Sequence, residues 1–166
     1  MDIVISSNNY RLNLTTNSKP NPLIAPNFCM LLRKHLVGSK IRKIYSQDLE
    51  RIVTFELECY NELNDLVHKK LIVELMGKHS NIILLNNNDR IIDSIRHLDI
   101  SMGSSRNILP AHDYIFPDNN KHCFSTTSLD EFLSILNSQD NFEEICNLFN
   151  GISKSTINTA LTRIKC

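Results

Sequence analysis

Apolar and polar positions alternate along the first two-thirds of the chain and recur at helical spacing in the last third. Val4 and Ile5, then Tyr10, Leu12 and Leu14, read as two short strands joined by the polar residues 6–9. Residues 17–26 carry three prolines and read as a loop. Phe28, Leu31, Leu32, His35 and Leu36 then fall on one face at i, i+3, i+4 spacing, the stripe of an amphipathic helix. Pro26 suits its first turn, where a missing N–H costs nothing, and Gly38 suits the position just past its end.

Strands follow at residues 41–45 and 51–59. In the second, Val53, Phe55 and Leu57 share one face while Ile52, Thr54, Glu56 and Glu58 share the other, a half-buried pattern. Residues 71–76 and 81–85 read as two more strands, broken by the polar turn from Gly77 to Ser80. Residues 86–89 are all Asn or Asp, which tolerate left-handed backbone, and 90–96 reads as the return strand of a hairpin. Residues 103–117 read as irregular with extended pieces. Ser128 and Glu131 form a capping-box pattern ahead of Phe132, Leu133 and Leu136. A second helix is expected over 142–149, ended by Asn150 and Gly151, and Ser153 caps a third. The fold class is therefore α+β: an antiparallel sheet domain over 1–125, followed by a helical segment over 126–166.

Composition narrows this only a little. Apolar residues make up 42% and charged residues 22% of 166, ordinary for a soluble globular chain. No apolar run approaches a membrane span. MDIVISSNNY has no basic stretch of the kind that opens a secretory signal, so a cytoplasmic location and no membrane partner are expected. The five cysteines are scattered with no C-x-x-C pair, which indicates neither a zinc site nor a disulfide framework.

Charge says more through its distribution than through its sum, which is zero. Residues 1–110 hold 14 Lys/Arg against 11 Asp/Glu; residues 111–166 hold 4 against 7. Between Pro26 and Lys43 there are five Lys/Arg, plus His35, and no acid. A local basic patch on a neutral chain suits a specific polyanion site; a merely solvated helix face is the plainer reading. The sequence shows no nucleophile elbow, no ordered triad, no histidine pair at metal-ligand spacing and no Gly-rich phosphate loop. Neither an enzyme nor a bound cofactor is expected.

Three stretches are more specific. APNFCMLLRKHL (residues 25–36) resembles the P-x-F-C-M-L-L-R-K-H helix of the NFACT family. ELMGKHSNIIL (74–84) is similar to its E-x-M-G-[KR]-H-S-N-[IL]-[IV]-L block, and SSRNILPAHDY (104–114) to its S-x-R-x-[IV]-L-P-G-x-x-Y block. They occur in the family's order, and the resemblance spans nearly the whole chain. NGIS (150–153) resembles the start of the family's helix-hairpin-helix region.

The resemblance implies a β-sandwich like the N-terminal domain of formamidopyrimidine-DNA glycosylases. It also implies a role in ribosome-associated quality control: binding the large ribosomal subunit with its peptidyl-tRNA, and delivery of alanyl-tRNA for template-free alanine tailing. It does not import glycosylase chemistry, which needs an amine nucleophile and a neighbouring acid that Met1, Asp2 and Ile3 do not supply. The family's first helix and strands, with an acidic residue tied to tail synthesis, have no counterpart here.

QDLER (47–51) matches the family's Q-x-x-D-R stretch, so its tRNA-recognising Asp-Arg pair falls on Glu50 and Arg51. Arg51 keeps a fork that clamps phosphate or stacks on a base; Glu50 carries its carboxylate one C–C bond, about 1.5 Å, further out. Arg33 and Lys34 are candidates to track an RNA backbone, and Lys78, His79 and Arg106 are further candidate contacts. Each has a plainer reading: Arg51 pairing with Asp48 or Glu50, Arg33 and Lys34 as solvated residues, Lys78 and His79 in a structural turn, Arg106 as an internal polar anchor. Ala111 stands where the family has Gly, so a left-handed conformation there would be strained. Lys154 stands where Pro is common. Alternative functions are a fibronectin-binding surface adhesin or an inactive truncated gene product.

Overall fold

The computed structural model describes residues 2–6, 11–17, 20, 22–46, 49–117, 121–137 and 145–164. The chain divides into two compact units, Met1–Ser46 with Arg51–Pro117, and Gln47–Glu50 with Asp118–Cys166.

The first unit is built on a five-stranded antiparallel sheet: β3 (Lys40–Ser46), β4 (Ile52–Tyr60), β5 (Leu66–Glu74), β6 (Asn81–Leu85) and β7 (Ile91–Ser94), neighbours in space in the order they occur in the chain. Ahead of it stand the hairpin β1 (Asp2–Ser6) and β2 (Arg11–Thr15) and the helix α1 (Asn27–Leu36). The alternation in β4 sets the two faces. Phe55, Leu57 and Cys59 join Val73 and Leu75 in one buried cluster, on which Leu12 of β2 and Leu36 of α1 pack. Ile52 faces the other way, with Ile72, Ile83, Leu85, Ile91 and Ile108, under Met76, Leu98 and Tyr114. β6 supplies both layers, which is why its sequence runs apolar without alternation. Burial of side chains of this size contributes about 1.5–3 kcal/mol each.

β3 is the contrast. It is exposed along most of its length, carries Lys40, Arg42 and Lys43, and has a bulge between Ile41 and Lys43. Charge and a bulge are common means of keeping an edge strand from pairing with another chain.

The α+β class and the antiparallel sheet agree with the sequence reading, and several boundaries do not. β5 starts at Leu66, not at 71, and stops at Glu74, not at 76. Its first half, LVHKK, lacks a complete apolar face because β6 pairs only with Lys70–Glu74. Beyond it Gly77 takes a left-handed φ of 64°, which starts the turn and removes Met76 from the ladder. Pro26 sits just before α1, as its N-cap residue. Gly38 takes φ 77° past the helix end, as expected of a stop residue.

In the second unit, α2 (Leu129–Asn137) is capped by Ser128, whose Oγ accepts from the Glu131 N–H at 3.2 Å. The helix expected over 142–149 is α3 (Ile145–Leu148) among the described residues; 142–144 lie outside them. Phe149 and Asn150 are not helical. They form β9, parallel to β8 (His122–Cys123), a strand the sequence did not reveal. Phe149, 1% exposed, draws the chain out of the helix into a ring cluster with His122, Phe124 and Phe132, at centroid distances of 5.3–6.2 Å. That pairing places His122–Cys123 with the helices, ahead of the division expected at 125. α4 (Lys154–Ile164) is capped by Ser153, as expected, through the Thr156 N–H at 3.1 Å.

Candidate nucleic-acid interface

Arg51 and Glu50 are neighbours with different fates. Arg51 precedes β4, and its carbonyl accepts the Leu75 N–H at 2.8 Å, which fixes its backbone to the ladder. Its side chain is exposed and has no ion pair or hydrogen bond among the described residues, so the guanidinium fork is unspent. Asp48, the alternative partner, lies outside the described residues. Glu50 belongs to the second unit. It is half-buried and accepts a 2.7 Å hydrogen bond from the Asn150 side-chain amide, so its carboxylate already has structural work.

Arg33, Lys34 and His35 occupy the last turn of α1, where cations oppose the partial negative charge of the helix end. Arg33 is exposed, with the Met30 Sδ at 3.8 Å. Lys34 pairs with Glu62 at 2.8 Å, and that contact raises the Lys34 pKa and lowers that of Glu62. Both side chains are mostly in solvent, where such pairs add little. His35 is half-buried; burial first, then Lys69 and Lys34, hold its pKa below the usual value. Close by in sequence, Arg42 pairs with Glu58 at 2.9 Å and the Lys43 ammonium stands 4.7 Å over the Tyr45 ring.

Gly77–His79 forms a single 3-10 turn. Ser80 closes it, with its N–H and its hydroxyl both donating to the Gly77 carbonyl, at 2.9 and 2.7 Å. Asn81 is buried and clips the chain to Arg96 through its amide N–H and its carbonyl oxygen, at 2.9 and 3.0 Å. The Lys78 carbonyl accepts from the Arg96 guanidinium. The side chains of Lys78 and His79 point to no partner among the described residues and are exposed. The turn is thus a rigid scaffold that presents two basic side chains.

Arg106 is spent internally. Its guanidinium donates to Glu74 at 2.6 Å and to the Ile115 carbonyl at 2.9 Å, and lies 5.7 Å from the Tyr114 ring centre. Glu74 is 1% exposed and also accepts from the Tyr114 hydroxyl at 2.8 Å. Burial, then the charge of Glu74, pushes the Tyr114 hydroxyl well above its ordinary pKa, so it stays a donor. This buried carboxylate with two donors joins residues 32 and 40 positions apart in the chain. The sequence reading leaves Arg106 open between an RNA contact and an internal polar anchor and names no partner for it; the structure shows the anchor, for which the available signal was a carboxylate, Glu74, at the apolar end of a strand. Among the described residues, no group of three or more His, Cys, Asp or Glu side chains is arranged to hold a metal. No helix of the described residues is long and apolar enough to cross a membrane.

The family model of the NFACT N-terminal and middle domains matches residues 1–166. The "Rqc2 homolog RqcH" of Bacillus subtilis is 41% identical over 147 residues, 86% of this chain and 26% of that protein. The "Archaeal Rqc2 homolog aRqcH" of Methanocaldococcus jannaschii is 38% identical over 117 residues, 70% of this chain and 16% of that protein. The chain thus spans about a quarter or less of these relatives. Among solved structures, the N-terminal part of the fibronectin/fibrinogen-binding protein of Streptococcus suis superposes with a TM-score of 0.81 at 34% identity, covering 93% of this chain and 60% of that one. The N-terminal domain of the fibronectin-binding protein PavA of Streptococcus pneumoniae gives 0.82 at 32% identity, covering 98% and 62%.

Proposed function

The chain belongs to the NFACT family, and from that premise we propose that it is a non-enzymatic, cytoplasmic RNA-binding module of a ribosome-associated quality-control factor, of the kind its RqcH relatives represent. Its partners in this reading are tRNA, alanyl-tRNA in particular, and the large ribosomal subunit carrying peptidyl-tRNA. The observation that carries the reading is the unspent guanidinium of Arg51, exposed on a backbone pinned by the Leu75 N–H. A planar fork with no internal partner costs little to hand to a phosphate or a base. Arg33, Lys78 and His79 are exposed as well and supply positive charge. Arg106 is left out of the contact set, because its donors are committed to Glu74 and Ile115.

The test is tRNA binding by this chain across a salt series, with Arg51→Ala alongside. The chain is neutral overall, so a shallow salt slope from a few phosphate contacts is expected. Arg51→Ala should cost about 1–3 kcal/mol, the scale of one good base or phosphate contact. No tRNA binding at low salt, or identical binding by the variant, overturns the reading. The names of the superposable streptococcal proteins favour a second reading, fibronectin binding. Saturable binding to immobilised fibronectin, with none to tRNA, would select it.

A further inference from the structure

Arg96 follows β7 and is exposed, yet its backbone is held more firmly than that of an ordinary loop residue. Its N–H donates to the Asn81 side-chain oxygen at 3.0 Å. Its carbonyl accepts from the Asn81 amide and from the Ser94 hydroxyl, both at 2.9 Å. Asn81 and Ser94 are 3% and 4% exposed. Buried polar groups are costly unless bonded, so these bonds are hard to give up, and they fix Arg96 in place. The side chain is open by contrast. It donates to the Lys78 carbonyl and pairs with no acid among the described residues.

Strand pairing sets Arg96 in a row with Asn81, Glu74 and Ile52, and Arg51 stands one residue before Ile52. The turn that carries Lys78 and His79 joins β5 to β6 at the same end of the sheet. Arg51, Lys78, His79 and Arg96 are therefore gathered at one end of the five strands. The acids closest along the row and along the chain are occupied. Glu74 is buried under Arg106 and Tyr114, Asp93 is paired with His97 at 2.6 Å, and Asp99 accepts the Ser101 N–H at 2.8 Å. Cations gathered without an open acid repel one another, and a bound anion relieves that repulsion. Strands lie about 4.8 Å apart, so the row from Ile52 to Arg96 spans roughly 14 Å. That is the length of about four stacked nucleotides of one strand. A guanidinium on a backbone that is already fixed loses less freedom on binding than one on a mobile loop.

We propose that Arg96 grips a backbone phosphate of the RNA strand that Arg51 contacts. One guanidinium N–H stays on the Lys78 carbonyl while the others turn to the phosphate. The inference rests on the RNA-binding reading and adds to it a residue that holds the strand without reading its sequence, as phosphate contacts do.

The experiment uses the whole chain and titrates unmodified tRNA transcript across a salt series, with Arg96→Gln, Arg96→Lys and Arg51→Ala alongside. Arg96→Gln should weaken binding about tenfold at low salt, the scale of a charge-assisted contact. It should also flatten the plot of log affinity against log salt by about one unit of slope, the mark of one lost phosphate. Arg96→Lys keeps the charge without the fork, so it should keep the slope and lose less affinity. A residue that only braced the turn would leave the slope alone. A second measurement needs no variant: phenylglyoxal labels exposed arginines, and bound tRNA should shield Arg96 from it. Arg42, beside Glu58 in the other half of the sheet, is the control that stays open to the reagent. A parental salt slope in Arg96→Gln, or full labelling of Arg96 in the complex, overturns the inference. If Arg51→Ala weakens tRNA binding and Arg96→Gln does not, the inference falls and the RNA reading stands. If the parent protein binds no tRNA, both fall together.

Discussion

Replacing Ala111 by Gly should stabilise the protein. Ala111 has φ 66°, in the left-handed region that a Cβ disfavours. The conformation is imposed from both sides. The Ala111 N–H donates to the Ile91 carbonyl at 2.8 Å, and its own carbonyl accepts from the Arg90 guanidinium at 2.7 Å. Relaxing φ would break both contacts and loosen the cover over Ile91 and Ile108. The left-handed form costs a non-glycine residue about 1–2 kcal/mol. Glycine removes that strain but adds about 0.4–1 kcal/mol of unfolded-chain entropy. Ala111 is exposed, so its methyl contributes little packing. The net expectation is a gain of about 0.5–1 kcal/mol, a rise in midpoint temperature of roughly 1–4 °C. Urea melts of the two proteins, with equal m-values, measure it. Asn64, at φ 62°, is the control: Asn tolerates this region, so Asn64→Gly should gain less. An Ala111→Gly protein no more stable than the parent refutes the argument.

Removing Arg106 as Arg106→Met leaves Glu74 buried and unpaired, with an expected loss of about 3–5 kcal/mol in denaturant melts; adding Glu74→Gln should recover part of it, and a purely additive double variant would contradict the coupling. Gly151→Ala sets a Cβ against the Leu49 side chain at a φ of 81°, so it should cost more than 1 kcal/mol, about the φ strain alone; a thermal melt matching the parent would show otherwise. His35 has a folded-state pKa below its unfolded value, so the unfolded chain takes up the proton first as pH falls. Stability should therefore decline on acidification through the region below about pH 6.5, where free histidine titrates, and His35→Gln should flatten that decline in urea melts taken across the range. Ile83→Ala, at 0% exposure, should cost about 2–5 kcal/mol.

What the sequence revealed and what it hid follow from one difference. Periodicity reports which positions face an apolar layer. β4, β6 and α1 were legible because Phe55, Leu57, the run Ile82–Leu85 and the Phe28–Leu36 stripe all answer to that demand. Caps were legible too, since Ser128 and Ser153 act on groups three residues away. The first half of β5 was not, because Leu66–Lys69 lie beyond the part of the strand that β6 covers and no alternation is enforced there. β8 and β9 escaped because their pairing is selected by the Phe149 ring cluster, which is long-range. The same holds for function. Arg51 stood out through a local stretch resembling a known one, and the structure leaves it unspent. Arg106 stood open between a ligand contact and an internal anchor, because the carboxylate it pairs with, Glu74, lies far off in the chain.

The order of the sheet has a consequence for how this chain is made. Strands β3 to β7 are neighbours in the order of synthesis, so each has its partner ready before the next emerges. Such short-range pairing favours fast folding and growth of the sheet by successive addition during translation. The hazard along that route is β6 with its IILL run, a segment of the kind that self-associates when bare. It is answered within a few residues, because the turn at 86–90 returns β7 onto it at once. A pause in translation that leaves β6 emerged while β7 is still held inside the ribosome would keep that window open, whereas one after both have emerged would find the pair already closed.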